Sequence, residues 1–226
     1  MKIKEIAAAR VRYGYKRIHV LLLRKSWKIS HKRICRLCTE EGLNLRNKSK
    51  RKKISAPRVL EKNSATVLNE CWARGFVSDQ LYNGKKFRVI HLIDTYSREC
   101  LTLYADQSIK GETVVNVLKS LKQTKGFPKR IKVDNGPEFI SRALDTWAYL
   151  NKMNLEYSRP GKPTDNAHIE SFNGSLRKEC LNINWVMALE DVREKLERWR
   201  KDYNEFRPHS ELIYLTPEEY ASAARA

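Results

Sequence analysis

FVSDQLYNGKKFRVIHLIDTYSRECLTLY, residues 76–104, is the stretch that decides the fold. It contains three runs rich in β-branched and aromatic residues, at 76–81, 87–93 and 99–104, and the segments between them carry Asn, Gly, Asp and Ser. Short apolar runs separated by such turn residues predict three strands joined by consecutive hairpins.

After these strands the pattern alternates between helix and strand. We predict helix 112–123, strand 130–133, helix 139–150, strand 155–158, and helices 166–181 and 188–203. Hairpin strands followed by alternating helices and strands are typical of an α/β fold with a mixed sheet of the ribonuclease H type.

The residues before the sheet predict three short helices, at 3–11, 17–24 and 31–41. Ser30 is a suitable N-cap for the third helix, and Gly42 is a suitable stop. The apolar residues available for a small core are Ile18, Val20, Leu21, Leu22, Ile34 and Leu37.

Three basic residues, Lys32, Arg33 and Arg36, lie near the exposed side of the third predicted helix. This arrangement predicts a helix-turn-helix whose third helix contacts DNA. A solvated charged face on an ordinary helical hairpin is the alternative, and the charge of the whole segment favours DNA.

The net charge of +19 is concentrated at one end of the chain. Residues 1–60 contain 19 Lys and Arg against 3 Asp and Glu, a net charge of +16, and the remaining 26 basic and 23 acidic residues leave +3. Such a basic block releases counterions from a phosphate backbone and binds nucleic acid in a salt-sensitive way. An acidic membrane surface is the competing partner, but no apolar anchor accompanies the charge.

These patterns divide the chain into four predicted segments. They are a helix-turn-helix DNA-binding domain at residues 1–45, a basic linker at 46–68, an α/β core at 69–182 and a helical extension of the core at 183–226. In the linker, we expect a run of basic residues to follow DNA phosphates: Lys50, Arg51, Lys52 and Lys53. No apolar run is long enough to span a membrane and no signal peptide is evident, so we expect a cytoplasmic, nucleoid-associated protein without a membrane partner.

Two carboxylates are candidates for chemistry. Asp134 directly follows the predicted strand RIKV, at the strand end where ligands of open α/β sheets bind. Glu170 lies beside an apolar helical stripe formed by Ile169, Phe172 and Leu176. Taken singly, Asp134 would more often be a turn residue and Glu170 a solvated helix residue. The spacing of 35 residues between them and the sequence around each make the pair a more specific candidate for a catalytic site.

The local strings VDNGPEF, residues 133–139, and GKPTDNAHIESFNGSLRKECLN, residues 161–182, resemble the second and third acidic motifs of integrases and of insertion-sequence transposases of the OrfB type. Residues 9–46 are similar to the helix-turn-helix of that family, and residues 203–220 to its C-terminal end. The resemblance therefore covers most of the chain, and implies a retroviral-integrase-like core.

The resemblance implies a DNA transposase in which two Asp and one Glu bind a pair of Mg²⁺ or Mn²⁺ ions. Oxygen ligands suit these hard cations, and two such ions can activate an attacking hydroxyl and stabilise the leaving oxygen. It also implies that Asp134 and Glu170 are catalytic metal ligands, and that Lys162 and Arg177 contact DNA. The implied partners are double-stranded DNA ends and target DNA, further copies of the chain, and an upstream-frame helix-turn-helix protein.

The first acidic motif of the family departs from its pattern here. The family has Trp, two residues, then Asp-Phe, whereas this chain has Trp72-Ala73-Arg74-Gly75-Phe76. Because glycine has no side-chain oxygen, we predict weak metal binding and weak or absent strand transfer. Asp79, four residues along the same strand, and Asp94, at the end of the adjacent predicted strand, are the candidate replacements, and we expect neither to replace the missing carboxylate.

Two further patterns have structural interpretations. His31, Cys35 and Cys38 share one helix face, but a single helix rarely closes a zinc site, so we interpret both cysteines as small buried residues. Four tryptophans at apolar positions are predicted to pack in cores: Trp72, Trp147, Trp185 and Trp199.

The sequence leaves three functions open. The first is an impaired transposase, the second is a non-catalytic transposase relic that interferes with multimers of an active relative, and the third is an RNA-cleaving enzyme of the ribonuclease H type. The basic helical segment and the 35-residue spacing favour the first two.

Overall fold

A computed structural model of the chain describes residues 2–45, 65–133, 141–157 and 167–225. The chain forms two compact units, which are described separately. One takes its residues from Met1–Asn63 and Pro208–Leu215, and the other from Ser64–Arg207 and Thr216–Ala226. The segment boundaries predicted above stay predictions. Pro208–Leu215, which the sequence analysis assigned to the C-terminal extension, belongs to the first compact unit.

The first unit contains three helices, α1 (Lys2–Ala9), α2 (Tyr15–Arg24) and α3 (His31–Glu40). As predicted, the Ser30 hydroxyl accepts a hydrogen bond from the backbone N–H of Arg33, at 3.4 Å. Gly42 follows α3 with a φ of +65°, which a residue with a side chain rarely adopts. Apolar residues of all three helices and the first connection form its core: Ile3, Ile6, Tyr13, Ile18, Leu22, Ile34 and Cys38.

The second unit is built on a five-stranded sheet. Its strands are β1 (Cys71–Gln80), β2 (Lys86–Asp94), β3 (Cys100–Asp106), β4 (Arg130–Val133) and β5 (Asn154–Tyr157), in the order β3-β2-β1-β4-β5. The first three strands are antiparallel hairpin neighbours, whereas β4 pairs parallel with both β1 and β5. The mixed α/β sheet predicted from residues 76–104 is confirmed.

Helices cover both faces of this sheet. The helices α4 (Gly111–Lys125) and α5 (Arg142–Leu150) enclose one core with Trp72, Ile90 and Leu92. The helices α6 (Ala167–Glu179) and α7 (Leu189–Glu205) enclose the other, with Ala73, Val77 and Val89. A last helix, α8 (Pro217–Ala223), was not predicted, although Thr216 and Glu219 form a capping box at its start.

Strand β1 begins at Cys71, five residues before the predicted start. It is the central strand, and residues 71–75 are all buried, so they lack the alternation of polar and apolar residues that a half-exposed strand shows. Gly75 therefore lies inside the strand. Within the described residues, no helix is long and apolar enough to span a membrane.

Candidate active site

The site implied by the sequence lies where β1, β2 and α6 meet. Gly75 pairs with His91 across the antiparallel β1–β2 ladder. Both residues belong to the sheet face that α6 covers, because their neighbours Ala73, Val77 and Val89 line the core on that side. The geometry of Gly75 therefore decides whether this position can hold a carboxylate.

A side chain at position 75 has no room in the present packing. An ideal Cβ built on Gly75 would lie 2.4 Å from Cγ2 of Ile169, 2.7 Å from Nε2 of His91 and 3.0 Å from its Cε1. Carbon atoms in contact prefer about 3.5–4.0 Å, so His91 and Ile169 must move before any side chain can enter. Position 75 therefore lacks both a side-chain oxygen and the space for a side chain, and we call it closed in this sense.

His91 is fully buried, and its ring stacks on Phe172 of α6 with centroids 4.8 Å apart and an angle of 27° between the rings. Neither ring nitrogen has a hydrogen-bond partner among the residues that the structure describes. Burial lowers the pKa of His91 to about 3. The imidazole is therefore neutral at physiological pH and fills space beside Gly75.

Glu170 is an exposed residue in the first turn of α6. It directly follows Ile169, which packs over Gly75, and the stripe Ile169, Phe172 and Leu176 is buried as the sequence predicted. Among the described residues, Glu170 makes no ion pair. Glu170 is therefore an exposed residue that adjoins the one packed over position 75.

Asp134, the other predicted catalytic residue, lies outside the described residues. Strand β4 ends one residue before it, at Val133, and pairs Lys132 with Ala73 of β1. The carboxyl end of β4 therefore lies alongside the middle of β1, close to Gly75.

A buried positive charge lies next to Gly75 in the chain. Arg74 is fully buried on β1, and it faces the opposite side of the sheet. Burial and Asp145 raise the pKa of Tyr157 at the end of β5, and the charge of Arg74 opposes that rise. The guanidinium is therefore close enough to the carboxyl end of β5 to lower the pKa of Tyr157 there.

Neither neighbouring carboxylate is placed to replace the missing one. Both oxygens of Asp94 accept hydrogen bonds: Oδ1 from Tyr96 N, Ser97 N and Ser97 Oγ at 2.8–3.1 Å, and Oδ2 from Asn69 N at 2.9 Å. Burial raises the pKa of Asp94, although these hydrogen bonds lower it. Asp79 lies near the far end of β1, and its Oδ1 accepts a hydrogen bond from Gln80 N. Asp94 therefore holds the β2–β3 turn together.

The predicted DNA-contacting residues of α3 are exposed together. Lys32, Arg33 and Arg36 border one surface cleft of about 390 Å³. Arg36 also forms an exposed ion pair with Glu40, at 3.3 Å. Such an exposed ion pair contributes little to stability, so Arg36 can exchange it for contact with a DNA phosphate.

A second basic cleft of the first unit was missed by the sequence analysis. It measures about 680 Å³ and is bordered by Arg12, Lys16 and Arg17, with Ser210 and Tyr214 on another side. Tyr214 also accepts a hydrogen bond through its backbone oxygen from Arg24, at 3.1 Å. Nothing local in the sequence shows that residues so far apart share one cleft.

Of the remaining residues predicted to contact DNA, one lies within the described part of the chain and five lie outside it. Arg177 is exposed on α6, where it donates a hydrogen bond to the backbone oxygen of Ser78, at 3.0 Å. The other five lie outside the described residues: Lys50, Arg51, Lys52, Lys53 and Lys162.

The tryptophan prediction holds for three residues and is wrong for the fourth. Trp72, Trp147 and Trp199 are buried, but Trp185 is 78% exposed and contacts Tyr82 edge to face. Trp185 follows the short turn Leu181–Ile183, where no helical period fixes which side chains point inward. Cys38 is buried as predicted, whereas Cys35 is half-buried; all five cysteines are free thiols.

Family comparisons agree with this architecture. The family described as Integrase core domain matches residues 66–163 and, in a second form, residues 151–217. The family described as HTH-like domain matches residues 1–53. Together they match most of both compact units.

Individual relatives point the same way. An insertion element IS407 protein of 31.7 kDa from Burkholderia multivorans is 42% identical over 100% of this chain and 81% of its own length. The putative transposase InsK of element IS150 from Escherichia coli is 27% identical, over 93% of this chain and 78% of its own. The integrase catalytic core of HTLV-2 shares the fold, with a TM-score of 0.55 at 18% identity over 69% of this chain and 98% of its own.

The full-length match at 42% identity and the two domain families thus agree with the strand order and with the N-terminal helices. The chain belongs to the insertion-sequence transposase family, with an HTH-like domain followed by a ribonuclease H-like integrase core.

Proposed function

We propose that this protein is a transposase-family DNA-binding protein whose strand cleavage and transfer are severely impaired. The observation that supports this is the closed, oxygen-free position at Gly75. Family membership supports a role in DNA transposition, and the missing carboxylate bears on the chemical step alone.

The donor set does not fit a pair of divalent ions. The solved HTLV-2 integrase core is described in complex with magnesium. In this chain Asp134 and Glu170 would be the metal ligands, for Mg²⁺ or Mn²⁺, but Gly75 supplies no oxygen and His91 and Ile169 fill its surroundings. Without a third carboxylate the repulsion between two cations is poorly compensated.

The basic first unit supports DNA binding. Residues 1–60 carry a net charge of +16, and α3 exposes Lys32, Arg33 and Arg36 together. Duplex DNA, with the ends of an insertion element as the specific sites, is the proposed partner. Further proposed features are assembly with other copies of the chain, an upstream-frame helix-turn-helix protein, and association with the nucleoid.

A second candidate function follows from the same observation. A chain that binds element ends and multimerises but does not cleave would act as an interfering partner of an active transposase. The two candidates differ only in residual activity. An RNA-cleaving role is weaker, because a ribonuclease of this fold would need the same metal ligands.

The test is 3′-end joining of a labelled terminal-repeat duplex in the presence of Mn²⁺, with duplex binding measured in the same samples. We expect DNA binding with joining at or below the level of the Glu170→Gln variant. An active family transposase on its own ends is the positive control. Robust joining that Glu170→Gln abolishes would show that another group completes the site, and the impairment would then be refuted.

A further inference from the structure

The surroundings of Gly75 bear on whether the missing carboxylate can be restored by one substitution. Three side-chain contacts under or at 3.0 Å surround the Cβ that Gly75 lacks, and they come from two elements, β2 through His91 and α6 through Ile169. Both residues are buried. Neighbouring side chains therefore fill the space that a side chain at position 75 would need.

We propose that Gly75, His91 and Ile169 form one packing unit that occupies the place of the first carboxylate, so that restoring Asp at position 75 requires a smaller residue at position 91. The part that concerns metal binding rests on the proposed function. The part that concerns packing does not.

His91 is the member that cannot easily retreat. It lies on β2, which is held between β1 and β3, and its ring is fixed between Gly75 and Phe172. Phe172 in turn contacts Trp199 and Tyr203 of α7 edge to face, with centroids 5.6 and 5.2 Å away. Movement of the ring away from Gly75 would therefore disturb the aromatic cluster on α6 and α7.

Ile169 presents a different obstacle. Its Cγ2 must withdraw by about 1 Å from the added Cβ to reach an ordinary contact distance. A β-branched residue in a helix has one strongly preferred rotamer, so the withdrawal requires movement of the first turn of α6. If the His91 ring is removed, the neighbouring Phe172 and Ile169 gain space into which that turn can adjust.

The packing part is tested by thermal unfolding of the full-length chain. Gly75→Ala adds the Cβ alone, and we expect it to lower the Tm by about 3–10 °C, as overpacking does in a chain of this size. In a His91→Ala background the same substitution should lower the Tm by less than half as much. Gly174→Ala is the matched control, because a Cβ there meets nothing within 4 Å, and it should raise the Tm in both backgrounds.

The metal part is tested by calorimetric titration with Mn²⁺ alone. We expect Gly75→Asp with His91→Ala to bind Mn²⁺ at least tenfold more tightly than Gly75→Asp alone, and Glu170→Gln to remove that gain. Equal Tm losses in both His91 backgrounds would overturn the packing unit. Unequal Tm losses without a gain in Mn²⁺ affinity would support the packing unit and refute the metal assignment of the proposed function.

Discussion

His91 shows how a single buried side chain couples packing to pH. Its pKa is about 3 in the folded chain, against 6.5 for the ordinary side chain, so the unfolded chain binds one more proton between these values. This contribution to stability is fully present above pH 6.5 and is lost as the pH falls toward 3. One proton changes the free energy of unfolding by up to about 1.4 kcal/mol per pH unit.

We therefore expect the wild-type chain to lose about 2 kcal/mol more than a His91→Leu variant between pH 7 and pH 5. Urea unfolding at the two pH values measures this difference. Leucine has a similar volume and does not titrate, so contributions from all other groups cancel in the comparison. Equal losses in the two proteins would mean that His91 is protonated within the folded chain.

Asp94 is a buried carboxylate that accepts four hydrogen bonds at and beside the β2–β3 turn. Asp94→Ala would leave three backbone donors without their acceptor, the buried N–H of Ser97 and the part-buried N–H groups of Tyr96 and Asn69. We expect a loss of about 2–4 kcal/mol in the free energy of unfolding, with DNA affinity unchanged. Chemical denaturation measures the first and a gel-shift titration the second. A stable variant with altered Mn²⁺ affinity would instead make Asp94 a ligand.

The sequence could identify Gly75 but not its surroundings. The spacing from Trp72 is enough to align position 75 with the first acidic motif. The contacts of His91 and Ile169 depend on strand register and on the approach of α6, and these come from pairings across 16 and 94 positions of the chain. The sequence therefore predicted that position 75 lacks a carboxylate oxygen. It did not predict that the side chains of His91 and Ile169 fill the space around that position.

At the scale of elements, α3 should govern DNA binding. Lys32→Ala with Arg36→Ala removes two exposed charges from one cleft. We expect weaker duplex binding and a flatter dependence of log affinity on log salt, by about 1 for each lost phosphate contact. Arg198→Ala with Lys201→Ala on α7 removes the same charge from an exposed face of the other unit and is the control. If the two double substitutions weakened duplex binding equally, α3 would contribute to DNA binding only through its net charge.

The second basic cleft supplies a separate prediction. Arg12 and Lys16 are exposed on the same cleft as Ser210 and Tyr214, and none of the described residues that border this cleft is acidic. Arg12→Ala with Lys16→Ala should therefore flatten the salt dependence in the same way as the α3 pair, since phosphate contacts carry no sequence preference. Fluorescence anisotropy over a series of salt concentrations measures the slope. An unchanged slope would limit DNA contact to α3.

Element boundaries were predictable where buried positions alternate with more accessible ones. Strand β4 matches the prediction at both ends, and α2 and α3 differ from it by at most two residues. The start of β1 was misplaced because its first residues are buried on both faces and include Arg74 and Gly75, which a strand pattern does not favour. Burial of an arginine inside a central strand is a tertiary effect.

For the whole molecule, the proposed DNA contacts of the basic segment and the proposed catalytic residues lie in different parts of the chain. Residues 1–60 carry a net charge of +16, whereas residues 61–226, which include Gly75 and Glu170, carry +3. A defect at Gly75 therefore leaves the basic segment intact. Under the proposed function, the chain keeps its affinity for DNA and lacks the chemistry, and this combination is what interference requires.

Interference can be measured by mixing this chain with an active transposase of the same family. If the chains assemble randomly as dimers and mixed dimers are inactive, an equal amount of this chain reduces joining by a fixed amount of active protein to about half. Excess element ends exclude competition for DNA, and the Lys32→Ala, Arg36→Ala variant should then inhibit as well as the unmodified chain. Joining that is unaffected under these conditions would mean that the chain does not enter the multimer, and an isolated DNA-binding role would remain.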